Sequence, residues 1–210
     1  MTTTRLRDLA QRSAAAREAT LERCDLCSAP VPPAHRHLLE VETGEMQCAC
    51  RACALLFDRD GTRYKLVPER RLRLDGLALD DVMWAELRLP VDIAFFHDSS
   101  RHGRVVAHYP SPMGATESQL DLAAWDRLVA ENAVLGTLEP DTEALLVNRA
   151  QGARRQWLVP IDECFSLVGL IRTRWRGLTG GREVWQAIGS FCDDLDRRSR
   201  RTNREEAAPL

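Results

Sequence analysis

Residues 22–53 read ERCDLCSAPVPPAHRHLLEVETGEMQCACRAC, and this stretch decides how the front of the chain folds. It holds two Cys-x-x-Cys pairs, Cys24 with Cys27 and Cys50 with Cys53, separated by 22 residues. Two residues between thiolates let both sulfurs reach one ion without strain, and the interval lets the two pairs meet across a hairpin. Four thiolates in a tetrahedron suit Zn²⁺, which structural sites hold closed in this way. Four-thiolate iron of the rubredoxin type, or an iron-sulfur cluster, is the alternative with the same ligands. A thiol-disulfide oxidoreductase would use one such pair alone, at a helix start after a strand, so the second pair makes metal the simpler reading. A closed four-cysteine site has no open position for substrate, and its default role is to fold a segment too small to fold alone.

Between the pairs, Pro30, Pro32 and Pro33 exclude both helix and central strand. His37 to Glu42 and Glu45 to Cys50 then flank Thr43-Gly44, which reads as a tight hairpin turn. With that turn, residues whose numbers sum to 87 are opposed, which sets His37 opposite Cys50 and Leu39 opposite Cys48. Cys48 is thus a candidate to replace Cys50 as ligand or to add a fifth thiolate. His37 is a candidate to ligate the ion, to hydrogen-bond a ligand sulfur, or to sit on the module surface, and His35 lies two residues earlier on the same side.

Working outward, Thr4 can cap a helix running to about Glu22, with Leu6 and Leu9 on a thin apolar stripe. From Arg63 the pattern changes to the extended runs RYKLVP, VDIAFFH and RVVAHYP, which read as antiparallel strands, with a short helix in DDVMWAEL. YPSPMGATES reads as a surface loop, and a helix from Asp121 to Val134 carries Leu122, Trp125, Leu128 and Val129 on one side. EALLVNR and RQWLVP form a second hairpin. Two helices follow, Asp162 to Arg176 burying Phe165, Val168, Ile171 and Trp175, and Arg182 to Arg198 burying Val184, Ile188, Phe191 and Leu195. The expected fold class is α+β: an N-terminal helix and zinc-ribbon-like module, then an antiparallel sheet packed by helices, with a C-terminal helical pair. The expected domains are residues 1–60, the helix and Cys-rich module; 61–198, the α+β domain; and 199–210, a flexible tail.

Composition narrows the function classes. At 44% hydrophobic and 29% charged, with no apolar run near the roughly 20 residues of a bilayer span, the chain is expected not to span a membrane. No apolar core and cleavage site follows the N-terminus, so a secretory signal is not expected, and the location read from this is cytoplasmic. Seven cysteines in that compartment point to metal ligands or buried small hydrophobes before disulfides. A net charge of -2 removes any global argument for electrostatic nucleic-acid binding, although a ribbon that binds nucleic acid stays as a lesser alternative. Lys65 is the only lysine among 29 basic residues, a bias that a GC-rich genome produces without selection for guanidinium chemistry.

Other candidates have plainer readings. Cys164 and Cys192 lie on or beside the apolar stripes of the last two helices, as buried cysteines do. His97, His102 and His108 surround one hairpin with Asp98 and Ser99 near, but their spacing does not favour a catalytic triad. Arg172, Arg174, Arg176 and Arg182 with Trp175 form a candidate partner-binding surface at the junction of the last two helices, against the simpler reading of a solvated helix face. No catalytic residue is named, and a non-catalytic role is favoured.

The runs ERCDLCSAPVPPAHRHLL, CACRACALLF, GTRYKLVPER, YPSPMGATES, LEPDTEALLVNR, WLVPIDECFSLVGLIRTRWRGLTGG and VWQAI closely resemble an uncharacterised actinobacterial protein family over most of the chain. Members of that family are encoded mainly beside nickel-iron hydrogenase genes and their maturation factors. The resemblance implies a zinc-binding accessory, adaptor or assembly factor whose partner is a hydrogenase subunit or maturation factor. A rubredoxin-like or iron-sulfur electron carrier for the same system is the other reading it implies. The family pattern retains both cysteine pairs, Cys48, and the His-Arg-His at 35–37, and it assigns no catalytic residue.

Overall fold

The computed structural model describes residues 22–57, 63–177 and 179–202. The helix expected from Thr4 to Glu22 and the DRDG loop lie outside the described residues, apart from Glu22 itself, which is not helical. The chain divides into two compact units, one ending at Leu66 and the other starting at Val67.

In the first unit, β1 (Arg36–Glu40), β2 (Glu45–Ala49), the short helix α1 (Arg51–Phe57) and β3 (Tyr64–Leu66) follow the first cysteine pair. The sheet order is β2-β1-β3, antiparallel throughout. RYKLVP therefore supplies a strand to this sheet and not to the larger one, which moves the division past residue 60. The hairpin loop is also longer than the sequence suggested. Four residues, 41–44, connect β1 and β2, closed by the Gly44 amide donating to the Glu40 carbonyl at 2.8 Å. Gly44 takes the left-handed conformation at φ +73°, which a residue without a Cβ adopts readily at the end of such a loop. Removing Val41 and Glu42 from the strands shifts the register by two. His37 is paired with Cys48 and Leu39 with Met46, so the expected opposition of His37 to Cys50 is corrected. A small core of Leu38, Ala49 and Ala54, with Leu26, Phe57, Tyr64 and Leu66 against it, lies under the sheet.

The second unit is built on a seven-stranded sheet. Its strands are β4 (Leu72–Leu74), β5 (Ile93–Ser99), β6 (Arg104–Ser111), β7 (Gly114–Ser118), β8 (Glu143–Asn148), β9 (Arg155–Pro160) and β10 (Arg200–Thr202), in the order β10-β4-β9-β8-β5-β6-β7. All neighbours are antiparallel except β10, which runs parallel to β4. Helices α2 (Asp81–Glu86), α3 (Leu122–Glu131), α4 (Ile161–Arg174) and α5 (Gly181–Arg198) complete the unit.

Side chains alternate across a strand, and here both faces are covered. Ala94, Phe96, Leu145, Val147 and Leu158 pack with Met83 and Leu87 at α2 and with Ala124, Trp125 and Leu128 of α3. Ile93, Phe95, Leu146, Trp157 and Val159 pack on the opposite side with Cys164, Leu167 and Ile171 of α4 and Val184, Ile188 and Leu195 of α5. Every residue of β8 is buried, which explains why EALLVN reads as a near-continuous apolar run and not as an alternation. Asp80 and Asp121 cap α2 and α3, accepting the amides of Met83 and Ala124.

Several expectations shift. YPSPMGATES is a β-hairpin: β6 and β7 pair from Ala107 with Ser118 to Ser111 with Gly114, leaving Pro112 and Met113 at the tip. Residues 200–202, assigned by sequence to the tail, form the edge strand β10; residues 203–210 lie outside the described residues. Phe165 is 39% exposed and touches Phe95 edge-on: the buried stripe of α4 includes the expected Val168 and Ile171, but it continues through Leu167, Cys164 and Ile161 and not through Phe165. Leu122 likewise turns outward, and Ala124 takes the buried place. Cys164 and Cys192 are buried, as read from their stripes, and the Asn148 side-chain amide donates to the Cys192 sulfur at 3.3 Å.

Candidate metal centre

Each cysteine pair is presented by its own local structure. The first sits in a turn closed by the Cys24 amide on the Ala29 carbonyl and the Ser28 amide on the Cys24 carbonyl, both at 2.8 Å. Ser28 is left-handed at φ 61°, and the Arg23 guanidinium donates to its carbonyl at 2.9 Å. The second pair begins where β2 ends: Cys50 leaves the strand, α1 starts at Arg51, and the Cys53 amide donates to the Cys50 sulfur at 3.5 Å. Asp25 joins the two. Its amide donates to the Cys48 carbonyl at 2.9 Å, and its carboxylate accepts the Cys48 amide at 2.6 Å. The sequence reading did not single out Asp25. Its only signal there was a carboxylate between two ligand cysteines, with no partner in view.

The result brings together the sulfurs of Cys24, Cys27, Cys50 and Cys53, all within 4.8 Å of one another. Cys27 and Cys50 are 3.7 Å apart. Thiolates at the usual distance of about 2.3 Å from a tetrahedral zinc lie about 3.8 Å apart, so the spacing fits a shared ion. Cys24 and Cys53 are buried, Cys50 is half-buried and Cys27 faces solvent. The thiols have been driven apart in acidity. Burial pushes Cys24 up, but amide donors from Cys50, Leu26 and Cys27 outweigh it and bring it down to about 6. Burial and the three neighbouring sulfurs push Cys53 up to about 12. The Cys53 amide lowers Cys50, while Cys27 is raised, the sulfurs of Cys24 and Cys50 overcoming the donor at Ala29. Four thiols this close cannot all ionise on their own, and a central cation removes that conflict. The cluster can therefore hold a metal ion, and its donors are soft enough for zinc or iron alike.

Cys48 and His37 do not join this group. With His35 they make a second one, whose three ligand atoms also lie within 4.8 Å of one another. The two-residue shift of the hairpin is the cause, since it pairs Cys48 with His37 across β1 and β2. The Cys48 thiol is raised by burial and by the negative charges of Asp25, Glu22 and Cys24.

The other histidines lie in the second unit. Ser99 Oγ and His102 Nδ1 are 2.9 Å apart, but the His102 amide also donates to Ser99 Oγ, so the pair caps the turn between β5 and β6. Ser99 is buried, which argues against a nucleophile. His97 and His108 stack at 5.4 Å, and Nδ1 of each is buried without a hydrogen-bond partner. Burial, with His108 beside it, lowers His97 to about 4 against the opposing pull of Asp141. The unfolded chain takes up this proton near pH 6.5 and the folded chain only near pH 4. The stability that His97 contributes is complete above the first value and falls by about 3 kcal/mol as pH drops through the window. Denaturant midpoints between pH 7 and pH 4 are expected to fall more steeply for wild type than for His97→Phe; equal slopes would show that His97 is not the group responsible.

Arg172, Arg174, Arg176 and Arg182 are exposed, and Trp175 is half-buried at the end of α4, its indole N–H on the Gly177 carbonyl at 2.8 Å. Arg172 and Arg174 occupy the last turn of α4, where cations complement the helix dipole, and this alone accounts for two of them. Among the described residues no helix is long and apolar enough to cross a membrane.

A sequence model described as a family of unknown function, DUF5947, matches residues 23–199. The matched span takes in both groups of side chains that could hold a metal ion and nearly all of the large sheet. None of the curated proteins and none of the solved structures matches the chain.

Proposed function

Since the chain belongs to the DUF5947 family of unknown function, its chemistry has to be argued from its own side chains, and we propose that it is a zinc-binding accessory or assembly factor, without catalytic activity of its own. The observation that carries this reading is the four-sulfur group of Cys24, Cys27, Cys50 and Cys53. A cation held there has all four positions filled by protein, so it fixes structure and does not meet substrate. The centre ties the turn before Pro30 to the start of α1, and the surface this presents is the one we assign to a protein partner.

That partner is a nickel-iron hydrogenase subunit or one of its maturation factors, in the cytoplasm. The assignment rests on the resemblance carried by the quoted runs, to an actinobacterial family encoded beside those genes. Arg172, Arg174, Trp175, Arg176 and Arg182 give a second, cationic contact surface of exposed guanidinium groups suited to carboxylates on the partner. A tagged copy expressed with the hydrogenase is expected to recover its subunits or maturation factors. Recovery of neither, from cells in which the enzyme is being assembled, would count decisively against this reading.

One observation favours a second reading. Cys27 is exposed, so an iron held by the same sulfurs would have an edge open to an electron donor. Metal analysis and a visible spectrum of anaerobically purified protein separate the two: zinc and no colour for the accessory factor, iron and thiolate-to-iron absorption for an electron carrier.

A further inference from the structure

We propose that His35, His37 and Cys48 form a second metal site, separate from the four-cysteine centre, that takes a borderline divalent cation of the zinc type and leaves one coordination position open. Its construction follows from the hairpin. The four-residue loop pairs His37 directly with Cys48, and directly paired residues project from the same face of a sheet. His35, two residues before His37 on an extended chain, returns to that face, and the two imidazoles meet edge to face at 4.8 Å. The three ligand atoms lie within 4.8 Å of one another, and a shared tetrahedral ion needs about 3.5 Å, a closure of about 1 Å that side-chain rotation supplies.

His35 carries the argument furthest. Its side chain is only 6% exposed. Nδ1 lies 2.8 Å from the Pro32 carbonyl, and because a carbonyl can only accept, the proton is on Nδ1. The lone pair is then on Nε2, which is buried and has no hydrogen-bond partner. The Glu22 carboxylate stands 3.7 Å from the same Nδ1. A ring nitrogen held by a backbone carbonyl, with the opposite nitrogen bare, is how a ligating histidine is held. Cys48 is held as firmly: its amide and carbonyl are both bonded to Asp25.

The donor set sets the metal class. Two imidazoles and one thiolate are intermediate in softness and suit zinc-like divalent ions, whereas hard oxygen-seeking cations gain little from them. Among the described residues no fourth His, Cys, Asp or Glu joins the group. The remaining position falls to water or to a donor from another molecule, so an ion here exchanges more readily than one enclosed by four cysteines. This inference stands apart from the identity of the partner and of the ion in the four-cysteine centre.

Metal-free full-length protein titrated anaerobically with Co²⁺ tests it. Wild type is expected to take up two equivalents, the first giving the ligand-field bands of tetrahedral tetrathiolate cobalt and the second a distinct mixed nitrogen-sulfur spectrum. His35→Ala and Cys48→Ser, made separately, are expected to keep the first set of bands and to weaken the second uptake by at least about 100-fold, since loss of a ligand exceeds the loss seen for outer partners. Uptake of a single equivalent by wild type, or of two by either variant at unchanged affinity, overturns the proposal. If a variant loses the tetrathiolate bands as well, imidazole nitrogen NMR of the wild-type protein titrated with Zn²⁺ decides. The second equivalent should then move the ring signals of His35 and His37 and leave those of His97, His102 and His108 in place; unmoved His35 and His37 signals refute the site.

Discussion

Chelation of the metal we place between Cys24, Cys27, Cys50 and Cys53, or the substitution Cys24→Ser, is expected to unfold the unit that ends at Leu66 and to leave the unit beginning at Val67 folded. Among its described residues the first unit has little else to hold it. The two apolar clusters there contain three buried residues each, Cys24, Val31 and Cys53 in one and Leu38, Ala49 and Ala54 in the other, and two of those six are proposed ligands. Segments this small rarely bury enough surface to offset chain entropy without a staple. A structural zinc contributes about 10–16 kcal/mol in small zinc modules, far more than such a core. Amide exchange read residue by residue checks it: protection in β1, β2 and β3 should vanish on metal removal while β8 keeps its own. Retained protection in β1 would mean that the cysteine group is not a structural staple.

The second large effect is expected at Arg70. Glu143 opens the fully buried strand β8, and its side chain is 1% exposed. Arg70 meets it with both arms of the fork, Nε on Oε1 at 2.8 Å and Nη2 on Oε2, and the Glu139 amide adds a third donor at 3.0 Å. Arg70→Ala leaves this carboxylate buried with one donor, which costs about 3–5 kcal/mol in comparable pairs. Glu143→Gln is expected to cost less, since Arg70 is itself 35% exposed and keeps water and the Thr137 carbonyl as partners. Replacing both, as Arg70→Met with Glu143→Leu, should recover most of the loss, because the desolvated charge is gone. Urea midpoints of the three variants rank the effects. A double variant no more stable than Arg70→Ala would show that the geometry of the pair, and not the stranded charge, is what matters.

The legibility of the chain follows from how local each signal is. VDIAFFH, RVVAHYP, EALLVNR and RQWLVP announced β5, β6, β8 and β9 because each carries enough apolar residues to read alone. β4 and β10, three residues each, and β7, with the sequence GATES, carry no such pattern and exist because a neighbouring strand offers an open edge. The four cysteines were legible from spacing alone. The fate of Cys48 and His37 was not, since it depended on whether the hairpin loop held two residues or four. A two-residue error there exchanges one pairing partner for another while keeping the same face, so His37 lies opposite Cys48 and not opposite Cys50. Phe165 shows the corresponding limit for helices: Val168 and Ile171 are buried as expected, but toward the start of α4 the buried place belongs to Cys164 beside it.

The parallel edge strand has a consequence for the order in which the protein is made. Thr202 donates to the carbonyl of Arg73 across a sequence separation of 129 residues, and Arg200 pairs with Leu72. While the ribosome is still translating what lies between, β4 has β9 at most as a neighbour, and its other side presents free amides and carbonyls. Contacts this distant in sequence form late and slow the final step of folding. During synthesis that edge is the natural place for a chaperone, or a second nascent chain, to attach.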